Sequence, residues 1–202
     1  LRDDKPDLIV KRYLRAVESE AGEKDIVAEY EMAKNKYALY EAYDDTTCLL
    51  ELDESPPEQL NIDALKAALE VAMLLNSEVV DEFITMRKQV LDLSNTSGFQ
   101  RSGLISREGY IDLPSGKVKI QTIYLEEDAA RKIKGTNEYV VYRVDRLGVP
   151  LIEMSTYPDI KTPEHAKEVA SHLGMILKST GKIKRGIGSV RQDINMSING
   201  GN

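Results

Sequence analysis

The run from Gly109 to Leu125 places the tightest constraint on how this chain can fold. Tyr110-Ile111-Asp112-Leu113 leads into Pro114-Ser115-Gly116, and an alternating stretch follows from Lys117 to Leu125. Alternation with a period of two suits a strand with one buried face. A Pro-Ser-Gly step between two such runs turns the chain back on itself, so the spacing predicts a β-hairpin. The second arm ends in Glu126-Glu127-Asp128. Successive side chains of a strand leave on opposite faces, so Glu126 and Glu127 must part, and one of them shares a face with any functional surface nearby. A solvated turn before Ala129-Ala130-Arg131-Lys132 is the plainer alternative for these acids.

Elsewhere the chain alternates helical and extended patterns. Asp7 before Leu8-Ile9-Val10 reads as an N-cap, and the apolar spacing through Val17 predicts a surface helix that ends at Gly22. The acidic run from Glu18 to Glu31 reads as a solvated face or loop. Tyr37 to Leu52 predicts one or two strands with a turn at Asp44-Asp45, and Ser55-Pro56-Pro57-Glu58 predicts the start of a helix. That helix buries Leu65, Ala68, Leu69, Ala72 and Leu75 and stops near Asn76-Ser77. A strand is expected from Phe83 to Leu93, carrying Arg87 and Lys88, and then a surface loop from Ser94 to Gly103. The hydroxyls, amides and glycines of that loop would also suit a backbone wrapped around a polar ligand. Thr162-Pro163-Glu164 opens a last helix, with Ala166, Val169, Ala170, Leu173, Ile176 and Leu177 inward and Gly181 beyond its end. His165 and His172 on this helix have no evident third ligand, and ordinary placement is the expectation for both.

Bulk properties narrow the class. The 202 residues are long enough for a sizeable core, 42% are hydrophobic, and no apolar run approaches the roughly 18 residues a membrane span needs. The single cysteine, Cys48, excludes an internal disulfide framework and suits a reducing, cytoplasmic setting. A net charge of -7 confines any polyanion site to a local patch. Lys178, Lys182, Lys184, Arg185 and Arg191 form such a patch, with no acid between them and with Gly181, Gly186 and Gly188 interleaved, which points to nucleotide or RNA. No Walker loop, dinucleotide fingerprint or serine-hydrolase elbow occurs. Leu1 at one end and Asn199-Gly200-Gly201-Asn202 at the other give the chain the look of an internal piece of a longer polypeptide.

Two strand-like pieces carry isolated carboxylates. Glu153 sits in Pro150-Leu151-Ile152-Glu153-Met154, and Asp193 sits in Val190-Arg191-Gln192-Asp193-Ile194. An unpaired charge in an apolar strand is costly, so a metal, an arginine or solvent must answer it. With Glu126, Glu127, Asp128 and Asp159, and with Arg87, Lys88, Arg146, Lys184, Arg185 and Arg191, the chain holds the hard oxygens and cations of a Mg-nucleotide site. The same inventory serves equally as a structural ion-pair network, and residue types alone leave both readings open.

Longer motifs add a resemblance. The run VDRLGVPLIEM, the segments YPDIKTPEHAKE and STGKIKRGIGSVRQDINMSI, and the stretches DDTTCLLELDESPPEQLN, MRKQVLDLSNTSGFQRSGLI and QTIYLEEDAARKI resemble the GatB/GatE family, the B- and E-type chains of tRNA-dependent amidotransferases, and most of all the archaeal E type. The resemblance covers nearly the whole chain and is loosest over residues 1–36. It implies an α+β fold: an antiparallel sheet flanked by helices, in a cradle similar to glutamine synthetase and guanidino kinases. It implies ATP-dependent conversion of Glu-tRNA(Gln) to Gln-tRNA(Gln), with ammonia supplied by an asparaginase-like amidase partner of the D type. A non-catalytic tRNA-docking module of the same complex is the rival reading. Carried over by motif, Glu127, Glu153 and Asp193 would hold Mg²⁺ or face the kinase centre, and Lys88 would lie near the ammonia route. Arg146, Ser189 and Arg191 would contact phosphate or the tRNA end. The family's opening GLEIH-type strand has no counterpart in this sequence, nor do its synthetase-like insertion and its helical and tail domains. Residues 1–202 are therefore expected to form an incomplete cradle, with an incomplete metal site and little activity alone.

Overall fold

A computed structural model describes residues 2–15, 18, 21–186 and 188–198. The chain forms two compact units: Leu1–Ile62, Glu82–Leu104 and Tyr124–Glu153 in the first, and Asp63–Asp81, Ile105–Ile123 and Met154–Asn202 in the second. No helix is long and apolar enough to cross a membrane among the described residues.

The first unit is built on a four-stranded sheet of β1 (Leu8–Tyr13), β2 (Tyr37–Ala42), β7 (Arg131–Gly135) and β8 (Tyr139–Arg143), in the order β1-β2-β8-β7. β1 lies antiparallel to β2, and β7 antiparallel to β8 with an irregularity between Lys132 and Lys134. β2 and β8 run parallel, with Tyr40 opposite Tyr142, so an all-antiparallel arrangement does not hold for this sheet. The helix expected from Leu8 is strand β1. Its apolar spacing fits either element, but six residue pairs with β2 and the packing of Val10 against the core decide for the strand. Ala16 and Val17 of that expected helix lie outside the described residues. Within the acidic run, Asp25 caps a short helix, α1 (Ile26–Ala33), by accepting from the Ala28 N–H at 2.9 Å. This helix buries only Ala28, in keeping with a solvated face.

Ala38, Tyr40, Ala42, Leu93, Ala130, Val140, Tyr142 and Val144 form the core of this unit. The rings of Tyr40 and Tyr142 stack at 6.1 Å, and their hydroxyls donate to the Leu93 and Asp92 carbonyls at 2.6 and 2.9 Å. Burial pushes both phenols above their ordinary pKa, so both are protonated donors at any physiological pH. They tie down the loop that joins β4 (Met86–Gln89) to β5 (Phe99–Leu113). Ala130 N–H reaches Ser94 O, Thr96 Oγ1 reaches Glu51 O, and Val90 N–H reaches Gly98 O. The expected surface loop therefore shrinks to residues 94–98 and is fastened to the core, with Leu93 and Asn95 buried. Phe99 to Ser102 pair with Gln89 to Met86 and are strand.

The expected second strand after Asp44-Asp45 is a series of turns, in which Thr46 and Thr47 donate to Tyr43 O and Glu54 to Leu49 O. Helix α2 (Ile62–Leu74) begins later than the prolines suggested, five residues beyond Pro57. Its inward residues are Ala67, Ala68, Val71 and Ala72, with Leu75 just beyond; Leu65 and Leu69 are only half-buried.

The second unit gathers α2, the two-residue strand β3 (Glu78–Val79), the hairpin tip and α3 (Pro163–Ser179). The hairpin holds as expected: β5 turns at Pro114-Ser115 into β6 (Gly116–Glu127), with Gly116 at φ +128°. Its first arm starts ten residues earlier than the alternation indicated, at Phe99 rather than Gly109. The sheet order is β3-β5-β6-β9, where β9 is Pro150–Thr156 and β4 also pairs with β5. Gly109 passes so close to α2's exit that a Cβ there would lie 2.1 Å from Ser77 Oγ. Thr162 caps α3, and Gly181 follows it at φ +69°.

Two outcomes follow for stability. Tyr40→Phe leaves the Leu93 carbonyl without its buried donor and should cost about 1–3 kcal/mol in urea unfolding. Burial alone would push the Asp145 carboxyl up, but its hydrogen bonds from Arg131 and the Arg2 N–H outweigh this and hold it below its ordinary value. A carboxyl depressed by folding contributes stability above its unfolded pKa and loses it as pH falls through the folded one. Urea midpoints should therefore drop from about pH 4 downward, and less steeply in Asp145→Asn.

Candidate functional site

In the first unit, β4, the start of β5 and the end of β6 bring charged side chains together. The pairing of β4 with β5 sets Lys88 opposite Gln100 and Met86 opposite Ser102, which puts Lys88, Gln100 and Ser102 on one side of the ladder. Glu126 is only 4% exposed. Its Oε1 accepts from Ser102 Oγ at 2.8 Å and from Lys88 Nζ at 3.3 Å, while its Oε2 is buried and has no partner among the described residues. Lys88 itself is half-exposed and places its ammonium between solvent and this carboxylate.

Glu127 leaves the strand on the other side. Its Oε1 accepts from Arg101 Nε at 2.7 Å and from Arg101 Nη2, and its carbonyl accepts from Gln100 Nε2 at 2.6 Å. The parting of the two acids holds as the strand period required. The motif singled out Glu127, yet Glu126 is the buried carboxylate, in contact with Lys88. The period-two argument pointed to one of the pair without saying which, because neighbours fix the buried face.

Asp128 Oδ1 accepts from the Ala129 N–H, and Arg146 Nε donates to Ala129 O at 3.0 Å with Asp128 Oδ2 at 3.7 Å, so Arg146 braces the turn after β6. Glu153 lies in β9 and is exposed rather than buried among its apolar neighbours. Asp193, Ser189 and Arg191 belong to the second unit. The strand expected around Asp193 does not form: residues 190–198 are irregular, with Ile194 and Met196 73% and 88% exposed. Alternation makes a strand only when an edge is there to pair with, and among the described residues this segment pairs with none. Ser189 Oγ donates to Gly186 O at 2.8 Å and closes a local turn. Ile187 and the closing residues 199–202 lie outside the described residues.

Magnesium asks for several oxygen donors in near-octahedral array. Among the described residues no three His, Cys, Asp or Glu side chains are grouped as a metal site. Glu127 is engaged by Arg101, and Glu126 offers one open oxygen with an ammonium beside it. These residues do not fit a magnesium ion by themselves. What they form is a buried carboxylate held by a hydroxyl and a lysine, flanked by an arginine–carboxylate pair. Such a set can hold or pass a proton and present fixed positive charge to an anion. Ser102→Ala would leave Glu126 with Lys88 as its remaining donor, and should lower the unfolding free energy by about 1.5–3 kcal/mol in a denaturant titration.

Comparison with known proteins gives this arrangement a setting. A family model described as the GatB/GatE catalytic domain matches residues 27–202. The E-type chain of glutamyl-tRNA(Gln) amidotransferase from Methanocaldococcus jannaschii is 57% identical over 201 residues, covering 100% of this chain and 32% of its own length. The E-type chains from Methanothermobacter thermautotrophicus and Archaeoglobus fulgidus are 50% and 52% identical, covering 100% and 94% of this chain. The chain thus spans about a third of the length of these relatives. Half or more of the residues agree from end to end, and the family match takes in β2, the hairpin and the Lys88–Ser102–Glu126 cluster: the chain belongs to the GatB/GatE catalytic-domain family.

Proposed function

We propose that this chain is catalytic-domain sequence of an enzyme that amidates tRNA-bound glutamate, turning Glu-tRNA(Gln) into Gln-tRNA(Gln). In this reading the glutamate side-chain carboxylate takes a phosphoryl group from ATP, and ammonia then displaces phosphate to leave the amide. An asparaginase-like amidase partner of the D type releases the ammonia from glutamine, and the assembly is a hetero-oligomer. ATP and Mg²⁺ belong to the proposal, although Glu126 and Glu127 do not hold the ion unaided. The fold proposed for the parent domain is the glutamine synthetase/guanidino-kinase-like cradle.

The observation that carries this reading is the Lys88–Glu126 contact beside Arg101–Glu127, in a chain whose relatives are named for this reaction. Ammonia arrives as a base and must shed a proton as it attacks an acyl group. A buried carboxylate with one open oxygen, next to a solvent-reaching lysine, can accept and release such a proton. Arg101 and Lys88 place positive charge where an acyl phosphate would bring negative charge. Glu153, exposed on β9, stays in the proposed catalytic set with Glu127, Asp193 and Lys88. Arg146, Ser189 and Arg191 stay as proposed contacts for phosphate or the tRNA end.

The test uses the full-length parent polypeptide with its amidase partner and follows ATP-dependent formation of Gln-tRNA(Gln). Lys88→Met and Glu153→Gln should each lower the rate by about 100-fold or more while tRNA binding persists, as expected for groups acting on the reacting atoms. Unchanged rates in both variants would assign the chemistry to other parts of the polypeptide and leave these charges a structural role.

A further inference from the structure

Helix α3 runs into a segment whose charge is opposite to that of the chain as a whole. Lys178 occupies the last turn of α3, and Lys182, Lys184 and Arg185 follow within seven residues of it, with no acid among them. All four are exposed. Lys182 is taken up by Glu70 of α2, its Nζ donating to Oε2, and this contact pins the start of the segment to the helix. Lys178, Lys184 and Arg185 form no ion pair among the described residues. In a chain with 34 acids and a net charge of -7, these three cations keep a local cluster of positive charge facing solvent.

The backbone is open as well. Gly181 and Gly186 take φ values of +69° and +118°, and a Cβ at either would meet nothing within 4 Å. These turns face solvent with no side chain on them, so an extended anion can approach the backbone N–H groups as well as the cations. A polymer with regularly spaced phosphates fits such a surface better than a single small anion, because the cations are strung along a segment rather than folded round one point.

We propose that Lys178, Lys184 and Arg185, on the segment after α3, form a docking point for the phosphate backbone of RNA. The proposal rests on the tRNA-acting function above and names a surface through which the second unit would hold that RNA. Binding there is electrostatic and indifferent to sequence, so its mark is salt dependence.

The experiment uses the parent polypeptide assembled with its amidase partner and measures tRNA affinity from 50 to 200 mM salt, in the range where such contacts register. Lys184→Ala combined with Arg185→Ala should raise Kd about tenfold or more at the lower salt. It should also flatten the slope of log K against log salt by between about 1.4 and 1.8, the value for two lost phosphate contacts. Lys184→Arg, which keeps the charge, should retain the parental slope. Lys66→Ala, on the exposed side of α2, serves as a control and should change neither quantity. A parent that binds tRNA, with a double variant that keeps the parental slope, overturns the docking point and leaves the proposed reaction standing. A parent that does not bind tRNA overturns both.

Discussion

Two phenolic hydroxyls hold the first unit in order. Tyr40 and Tyr142 face each other across the parallel pair β2 and β8, and they donate to consecutive carbonyls of one loop. A buried carbonyl without a donor is costly, so these bonds fix where the loop can lie. The loop in turn sets the register of β4 on β5, and that register brings Lys88 and Ser102 to one side of the ladder beside Glu126. The parallel pairing matters here, because β2 and β8 are separated by almost a hundred residues of chain and only a long connection can make them parallel neighbours. The hairpin, the tethered loop and the end of β6 all belong to that connection.

The charged groups divide by setting. Glu126 and Glu127 are adjacent in sequence, yet one is buried against a serine and a lysine while the other meets Arg101 in a more open place. Each acid has a cation, but of the two Glu126 keeps a buried oxygen without a partner among the described residues. Buried carboxylates ordinarily have their acceptors filled, so this open oxygen sets Glu126 apart from its neighbour. Arg131, Arg143 and Arg2 serve differently. They bind Asp145, Glu41 and the amino-terminal acids in a network on the four-stranded sheet, whereas Glu126 and Glu127 end a strand of the other one.

Much of this organisation could be read from residue order. The hairpin turn, the split between Glu126 and Glu127, the Thr162 cap and the stop near Asn76 all follow from local rules and are present, while of the expected stripe of α3 only Val169 and Leu177 are buried and the other four are half-buried. The errors share one cause. Leu8 to Leu14 has spacing that fits a helix as well as a strand, and pairing with β2 settled it. Residues 190–198 have strand alternation, and the absence of a paired edge among the described residues leaves them irregular. The loop from Ser94 looked like solvated surface because its residues are small and polar, whereas distant tyrosines hold it down.

Residue order was thus enough for the elements whose signals are local: turns, caps, periodicity, and the charge run from Lys178 to Arg191. It was enough for the family too, through motifs long enough to need no structure. Folding in three dimensions was needed to settle which carboxylate is buried, which lysine and hydroxyl meet it, and which cations keep no carboxylate partner among the described residues. Those outcomes depend on contacts between residues tens of positions apart. Burial and pairing energies are set by the neighbour that finally arrives, and a linear pattern of residues does not name that neighbour.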